Sequence, residues 1–290
     1  MSNQIAFSLI AEFSNARIES ILAELFPEVS RRQFKKVVDR GLVNLNSRTA
    51  SRKSLIKVKD QINFPADLLE VKLGSTRVNL DNFELEVLYE DEEMLVVNKP
   101  RKMHSVLINF DDPPTLADLV CDRFPIATKA GRVSTESGLV QRLDFYTSGL
   151  VTVAKNRKSW EELHELFLNK EVLKTYLAYV RGDLTKAVPN STFDIKTIVK
   201  NGDSAILSLT TRLGGRHIVR ETCASLGFPL VGDTEYGSTK SSFRLKIGNE
   251  IVEDDGFYLV ANKISFLANS PSIDSSEYEL NRKEITIIES

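Results

Sequence analysis

Residues 138–151 read GLVQRLDFYTSGLV and place two charged side chains, Arg142 and Asp144, between two apolar runs. A charge beside a hydrophobic core is costly unless it is paired or has a chemical role. The stretch predicts two short strands joined by DFYT, and on a strand Arg142 and Asp144 point to the same side. Asp144 then lies at the end of its strand, where loops on a rigid scaffold commonly carry functional residues. An ion pair that merely pins the turn explains the same pattern equally well.

The composition is that of an ordinary globular protein and narrows the classes of function. The chain has 290 residues, of which 42% are hydrophobic and 27% are charged. No apolar run approaches the ~18 residues of a membrane-spanning helix, and the N-terminus does not resemble a signal peptide. The two cysteines are too few for a disulfide scaffold or a zinc site. We therefore expect a cytoplasmic protein without a metal ion.

The charge is distributed unevenly along the chain. Between residues 16 and 64 there are eleven Lys or Arg and five acidic residues, a net charge of +6. Since the whole chain has a net charge of −2, the remainder has a net charge of −8. A basic module fused to an acidic body predicts that one end of the protein binds a polyanion.

The basic module predicts two helices followed by a small ribbon of strands. RIESILAELF has apolar residues at helical spacing, and Pro27 ends the run. In SRRQFKKVVDRG, Ser30 is a candidate N-cap and Gly41 suits the position after the C-terminus. One face of this second helix carries four cations, and the opposite face is apolar. The cations are Arg31, Arg32, Lys35 and Lys36.

The pattern SRRQFKKVVDRGLVNLN, residues 30–46, resembles the S4-like RNA-binding domain. The resemblance covers residues 16–64 and implies that the basic second helix binds structured RNA through phosphate contacts. For a random protein, a solvated helix face explains such a stripe of cations as well. Residues 65–82 show weak periodicity and are interpreted as a linker.

Residues 83–290 predict a second, strand-rich α+β domain. Strands are expected at FELEVLYE, MLVVN, VLKTYLAYVRG, AILSLTTRL, GFYLVANKISF and EITIIES, in addition to the two around DFYT. Helices are expected at PTLADLVCDRF and KSWEELHELFLNK. The fold class is therefore a small S4-like α/β domain followed by a mainly antiparallel sheet domain.

Four motifs of this second domain resemble those of the RluA-type RNA pseudouridine synthases, in the order in which that family has them. They are YEDEEMLVVNKP at 89–100, LVQRLDFYTSGLVTVAKN at 139–156, KTYLAYVRG at 174–182 and GFPLVGDTEYG at 227–237. An S4-like domain in front is a common arrangement in this family. The resemblance implies an enzyme that isomerises uridine to pseudouridine in RNA without a cofactor.

The resemblance also implies roles for individual residues. Asp144 matches the aspartate on which the reaction depends, as a nucleophile or as a base. Arg220 matches the basic partner that keeps this carboxylate ionised. Tyr176 matches the tyrosine that packs on the target base, which must be flipped out of its stack. A core aromatic and a surface cation are the alternative readings of Tyr176 and Arg220.

Further basic residues are expected to contact RNA. Arg142 is expected to fill the space left by the flipped base or to hold a nearby phosphate. Three lysines are expected to line a phosphate-binding cleft, although each taken alone more often marks a solvated surface. They are Lys99, Lys155 and Lys174.

The sequence departs from the family at GGRHIVR, residues 214–220. Gly215 stands where an arginine is common, Ile218 where a glutamine is common, and Arg216 is adjacent and could substitute. We expect the departure to affect substrate contacts more than catalysis. His217 shows no metal-ligand spacing and receives no role.

Two functions remain open at this point. The first is an RNA pseudouridine synthase, monomeric and acting on structured RNA, with large-subunit ribosomal RNA favoured over transfer RNA. The second, motivated by the altered GGRHIVR stretch, is a non-catalytic RNA-binding or ribosome-assembly factor on a synthase scaffold.

Overall fold

The computed structural model describes most of the chain. The described residues are 6–10, 16–26, 31–65, 80, 83–107, 114–131, 136–184, 192–267, 270–271, 273–280 and 284–288. None of the helices in these ranges is long and apolar enough to cross a membrane.

The N-terminal unit consists of two helices and short strands around its own core. Helices α1 (Ile18–Leu25) and α2 (Arg31–Asp39) pack together. The strands are β1 (Ala6–Ile10), β2 (Ala16–Arg17), β3 (Asn44–Leu45), β4 (Arg48–Thr49), β5 (Leu55–Ile56) and β6 (Gln61–Pro65). Strand β1 pairs with β6. Residues 6–10 therefore belong to the same sheet as strands of the module predicted at 16–64. The linker predicted at 65–82 lies largely outside the described residues.

The second helix has the amphipathic arrangement that the sequence predicts. Its apolar face, with Phe34, Val37 and Val38, is buried in the core of the N-terminal unit. Lys35 and Lys36 are half-buried, and the side chains of the other two stripe cations, at 31–32, lie outside the described part of the chain. The chain leaves the helix through residue 41 in a left-handed conformation, which glycine adopts readily (φ 69°).

The larger unit is built on an eight-stranded sheet with helices against it. Its helices are α3 (Leu116–Arg123), α4 (Arg157–Leu168) and α5 (Ile218–Ser225). Its strands are β7 (Glu86–Glu90), β8 (Met94–Lys99), β9 (Thr147–Ala154), β10 (Val172–Arg181), β11 (Asp194–Asn201), β12 (Ser204–Thr211), β13 (Ser242–Ile247), β14 (Glu250–Asp255), β15 (Leu259–Phe266), β16 (Ser276–Glu279) and β17 (Ile285–Ile287).

The strand order is β11-β12-β10-β15-β9-β8-β7, and β16 pairs with β15. All pairings are antiparallel except β9 with β15, which confirms a mainly antiparallel α+β domain. Strands β13, β14 and β17 form a separate three-stranded sheet.

Strands β8 and β9 are covered by helices on both faces, which explains their continuous apolar runs. Leu95, Val97, Val151 and Val153 pack on the side of α3. The alternate residues of the same strands pack on the side of α4.

The prediction of a strand at 138–143 is wrong. This segment is an irregular connection in which only Leu139 makes a β-bridge, to Val153. Gly138 has a φ of 73°, so the chain turns there instead of extending. At the other end, the Ser105 Oγ donates to the carbonyl of Leu143 and accepts its N–H, both at 2.9 Å. The backbone of the segment makes two bonds to β9, from the Val140 N–H to the Thr152 carbonyl and from the Ala154 N–H to the Gly138 carbonyl, but these do not extend into a strand ladder. The strands β11, β13, β14 and β16 were not predicted from the sequence.

The pairing of β9 with β15 depends on a glycine. Gly149 has a φ of 115°, and a Cβ added there would lie 2.3 Å from the carbonyl oxygen of Ala261. Only a residue without a side chain allows this close approach of two backbones. The approach fixes the start of β9, and with it the loop that carries Asp144.

We expect Gly149→Ala to lower the free energy of unfolding by about 3 kcal/mol or more, because backbone clash is added to strain at positive φ. Gly202→Ala is the matched control, since Gly202 also has a positive φ (59°) but a Cβ there meets nothing within 4 Å. The control should lose only about 1 kcal/mol. Urea denaturation measures both, and equal losses would contradict the close-approach argument.

Candidate active site

An open cleft of about 330 Å³ lies where the start of β9, the middle of β10 and the first turn of α5 meet. The polar and charged side chains that line it are Arg142, Asp144, Thr147, Tyr176, His217 and Arg220. The three residues assigned to catalysis by resemblance therefore line one cleft, although they are far apart in sequence.

Asp144 lies in the loop before β9, where its carbonyl oxygen accepts the N–H of Thr147 at 3.0 Å and closes a turn. Its side chain is 28% exposed, so a ligand entering the cleft can reach the carboxylate. Two nitrogen atoms face the two carboxylate oxygens. Arg220 Nη1 is 3.7 Å from Oδ2, and His217 Nε2 is 3.7 Å from Oδ1. Both distances are long for a hydrogen bond, but the charge of Arg220 attracts the carboxylate at this separation.

Arg220 is held rigidly by partners other than Asp144. Its guanidinium donates to Asp233 at 2.6 and 2.8 Å and to Glu235 at 2.7 Å. Its guanidinium carbon lies 4.8 Å from the ring centroid of Tyr236 and 4.5 Å from that of Phe257. Burial on its own lowers the pKa of Arg220, but the hydrogen bonds with Asp233 and Glu235 raise it above its ordinary value. Arg220 is therefore a permanently charged group that presents Nη1 to Asp144.

Tyr176 reaches the cleft from a β-bulge. The register of β10 against β15 shifts between Thr175 and Tyr176, and bulges commonly redirect a side chain next to a functional site. Burial, together with the negative charge of Asp144, raises the pKa of Tyr176 to about 12. The phenol is therefore protonated at neutral pH.

The three lysines expected to line a phosphate-binding cleft are not among the residues that line the described cleft. Lys99 is fully buried and donates to the carbonyls of Pro100 (2.9 Å) and Met103 (2.7 Å). Lys174 is buried and donates to the carbonyl of Leu213 at 2.7 Å.

The remaining lysine, Lys155, pairs with Glu90 at 3.1 Å. All three lysines are thus bound to the protein itself in this structure. Phosphate contacts from them would require these bonds to break.

Burial changes the acidity of two of these lysines. It lowers the pKa of Lys99 to about 7, although the nearby charge of Asp144 favours the protonated form. It lowers the pKa of Lys174 to about 8. Lys99 belongs to the electrostatic surroundings of Asp144 even though it does not line the cleft.

The exposed cations lie at the mouth of the cleft. Arg142 lines the cleft and is exposed. Arg216 is exposed, and its Nε donates to His217 Nε2 at 3.3 Å. Arg216 does not itself line the cleft, but it lies next to His217, which does.

Sequence reasoning missed His217, Asp233 and Thr147 as components of the site. A signal for His217 existed in its position three residues before Arg220, one helical turn away. The pair Gly232-Asp233 suggests a tight turn near the site, but nothing in the sequence shows that Asp233 faces α5. Thr147 is 2% exposed, and its Oγ1 has no hydrogen-bond partner among the residues that the structure describes. The described residues contain no group of side chains that could hold a metal ion.

Comparison with known proteins finds a family match in the central part of the larger unit. Residues 93–225 match the RNA pseudouridylate synthase family. An uncharacterised RNA pseudouridine synthase of Bacillus subtilis is 27% identical over 264 residues, which cover 82% of this chain and 85% of the relative.

Two further relatives have names that include a substrate. Ribosomal large subunit pseudouridine synthase D of Blochmanniella floridana is 28% identical, over 80% of this chain and 79% of the relative. Ribosomal large subunit pseudouridine synthase C of Buchnera aphidicola is 28% identical, over 85% of this chain and 86% of the relative. Among solved structures, human RNA pseudouridylate synthase domain containing 4 aligns with a TM-score of 0.49 at 15% identity, covering 68% of this chain and 88% of that chain.

We expect Asp233→Ala to lower the free energy of unfolding by about 3–5 kcal/mol, because it leaves the buried Arg220 without its main partner. Asp203→Ala is the matched control, since Asp203 also pairs with an arginine at 2.8 Å but both side chains are exposed. The control should change stability little. Thermal or urea unfolding measures both, and a mild effect of Asp233→Ala would show that Arg220 does not depend on this bond.

Lys99 should make stability depend on pH. Its pKa is about 7 in the folded protein, and the ordinary pKa of a lysine is 10.5, so between these values the unfolded chain binds more protons. The free energy of unfolding should therefore rise with pH in this window, by at most about 1.4 kcal/mol per pH unit from this group. Lys99→Met should remove that contribution, which the difference between the urea unfolding curves of the two proteins measures. Lys102→Met is the control: Asp254 and Asp255 raise the pKa of this exposed lysine, so its loss should leave the slope between pH 7 and 9 unchanged.

Proposed function

We propose that this enzyme, an RNA pseudouridine synthase by its similarity to that family and therefore an isomerase, converts a uridine of large-subunit ribosomal RNA to pseudouridine at Asp144. The observation that carries the proposal is the position of the Asp144 carboxylate, accessible in a cleft and 3.7 Å from a buried, permanently charged arginine. The names of relatives support ribosomal RNA as the substrate.

The reaction suits a site that offers acid–base and nucleophilic groups. The bond between the ribose C1′ and the uracil N1 breaks, a bond between C1′ and C5 forms, and the C5 proton is lost while N1 gains one. No electrons are gained or lost overall. Asp144 can take either a covalent bond from the sugar or a proton and return it, and both roles need the carboxylate to be ionised.

Arg220 supports the ionised form of Asp144 when substrate displaces water. An adjacent cation stabilises a carboxylate that a base and a ribose cover. Because Asp233 and Glu235 hold the guanidinium, it can favour negative charge at Asp144 without moving. The arginine therefore acts as a fixed electrostatic support.

Tyr176 is proposed to pack on the flipped uracil. Stacking of a base on an aromatic ring contributes roughly 1–3 kcal/mol and offsets part of the cost of extrusion from the RNA stack. The raised pKa of Tyr176 means that its hydroxyl can donate a hydrogen bond but is not a base at neutral pH.

The N-terminal unit is proposed to hold the RNA as an S4-like domain. The α2 face with Arg31, Arg32, Lys35 and Lys36 would contact phosphates without reading sequence. Strong dependence of binding on salt concentration follows from such contacts.

The site is also proposed to work without a cofactor in a monomer. Both cysteines are free thiols, which suits the reducing cytoplasm. The non-catalytic alternative loses its motivation, because the altered GGRHIVR stretch still brings Arg220 to Asp144.

Asp144→Asn should abolish pseudouridine formation, with a loss of at least about 1,000-fold, because an amide is neither a base nor a comparable nucleophile. Pseudouridine is first mapped in ribosomal and transfer RNA from cells with and without the gene, and the missing site is then restored with purified protein. RNA affinity should stay within a few-fold of wild type. Asp203→Asn, an exposed carboxylate outside the cleft, is the control. Unchanged yield with Asp144→Asn would refute the proposed function.

A further inference from the structure

His217 has a backbone conformation that histidine rarely adopts. Its φ is 58° and its ψ is 15°, in the left-handed region. It occupies the N-cap position of α5, but its side chain makes no capping hydrogen bond. Strained residues persist where surrounding contacts hold them, commonly at functional sites. The contacts of the ring, and not the helix end, therefore account for this conformation.

The hydrogen bonds of the ring define its tautomer. The hydroxyl of Tyr236 donates its hydrogen to Glu221 Oε1 at 3.0 Å. In its other polar contact, with His217 Nδ1 at 3.0 Å, the hydroxyl oxygen must therefore accept a hydrogen bond. Nδ1 of the neutral ring accordingly carries the hydrogen, and Nε2 is the acceptor. The ring also packs edge-on against Tyr236, with the ring centroids 5.7 Å apart.

Nε2 is the atom that faces the cleft. It accepts the Nε–H of Arg216 at 3.3 Å and lies 3.7 Å from Asp144 Oδ1. One ring atom thus keeps an exposed guanidinium beside the catalytic carboxylate.

We propose that His217 is a positioning residue that holds Arg216 to bind the backbone phosphate of the target nucleotide. The inference rests on the proposed function and adds a phosphate subsite to it. In a nucleotide, the phosphate is attached to the sugar whose C1′ reacts, so a cation next to Asp144 is within reach of that phosphate. The contact with His217 uses only the Nε–H of Arg216. The two Nη groups of the guanidinium stay available to donate hydrogen bonds to phosphate oxygens.

Gly215 provides the room that this subsite needs. It lines the cleft, and a Cβ added there would meet only the Cβ of Ile218, at 3.9 Å. Its φ of 151° is also unfavourable for a residue with a side chain. The local backbone therefore excludes a cation at 215 and leaves the adjacent Arg216 to supply it.

The first test compares His217→Asn, Arg216→Gln and the double variant on the mapped target RNA. Asparagine tolerates the left-handed conformation and keeps a polar group near the position of Nδ1, so the fold should survive. Each single variant should raise KM about tenfold, the loss expected for one charge-assisted contact, with kcat within about twofold of wild type. The double variant should be no worse than Arg216→Gln, because His217 acts through Arg216.

The second test replaces the target phosphate with an uncharged methylphosphonate. This change should raise KM of the wild-type enzyme about tenfold and leave Arg216→Gln unaffected. Arg181→Gln removes an exposed arginine outside the cleft lining and should respond like wild type.

Three results would overturn the assignment while wild-type activity persists. The first is a KM in the double variant that is the product of the two single effects, and the second is a His217→Asn variant that loses kcat with an unchanged KM. The third is an Arg216→Gln variant whose KM rises with methylphosphonate as much as that of the wild type. A wild-type protein that forms no pseudouridine would overturn the proposed function itself, and the phosphate subsite with it.

Discussion

The burial of one guanidinium organises the site. Arg220 is 6% exposed, and a charge so far from water requires complete hydrogen bonding to be tolerated. Asp233 and Glu235 supply that bonding from the 3₁₀ turn at Thr234–Tyr236, while Phe257 covers one face of the guanidinium. Three segments are thereby fixed to each other, and the cation keeps one nitrogen directed at the cleft.

Close packing of two strand backbones places the carboxylate of Asp144 near the guanidinium of Arg220. Asp144 sits immediately before β9, and β9 runs parallel to β15 where a glycine allows the strands to approach. The same β15 pairs with β10, which carries Tyr176 at a bulge. Errors in strand register would therefore move the carboxylate and the phenol relative to each other. Rigidity of the sheet serves the geometry of a site built from distant segments.

The sequence predicts four of the five helices described here and most central strands, but not α5; the family resemblance, and not periodicity, brought Asp144, Tyr176 and Arg220 together as candidates. Periodicity identifies α2 and α4 because one face of each is buried. The prediction of a strand at 138–143 was wrong. The apolar residues of this segment are divided between two hydrophobic cores, and the side chain of Ser105 hydrogen-bonds the backbone at Leu143. Strand β13 was missed although its residues alternate between exposed and buried. Strand β14 is mostly exposed and acidic, so it has no apolar face that the sequence could reveal. Asp233 depends on a contact between segments, and no local pattern encodes such a contact.

The charge balance of the cleft explains why its mouth is basic. Arg220 contributes one positive charge, but Asp233 and Glu235 together outweigh it, and Asp144 adds a further negative charge. Lys99, with a pKa of about 7, is charged in only part of the population at neutral pH. The floor of the cleft is therefore net negative, a setting in which a carboxylate stays ionised only with a cation such as Arg220 beside it. In the proposed function this floor would also repel the phosphates of RNA, and the exposed Arg142 and Arg216 would offset that repulsion.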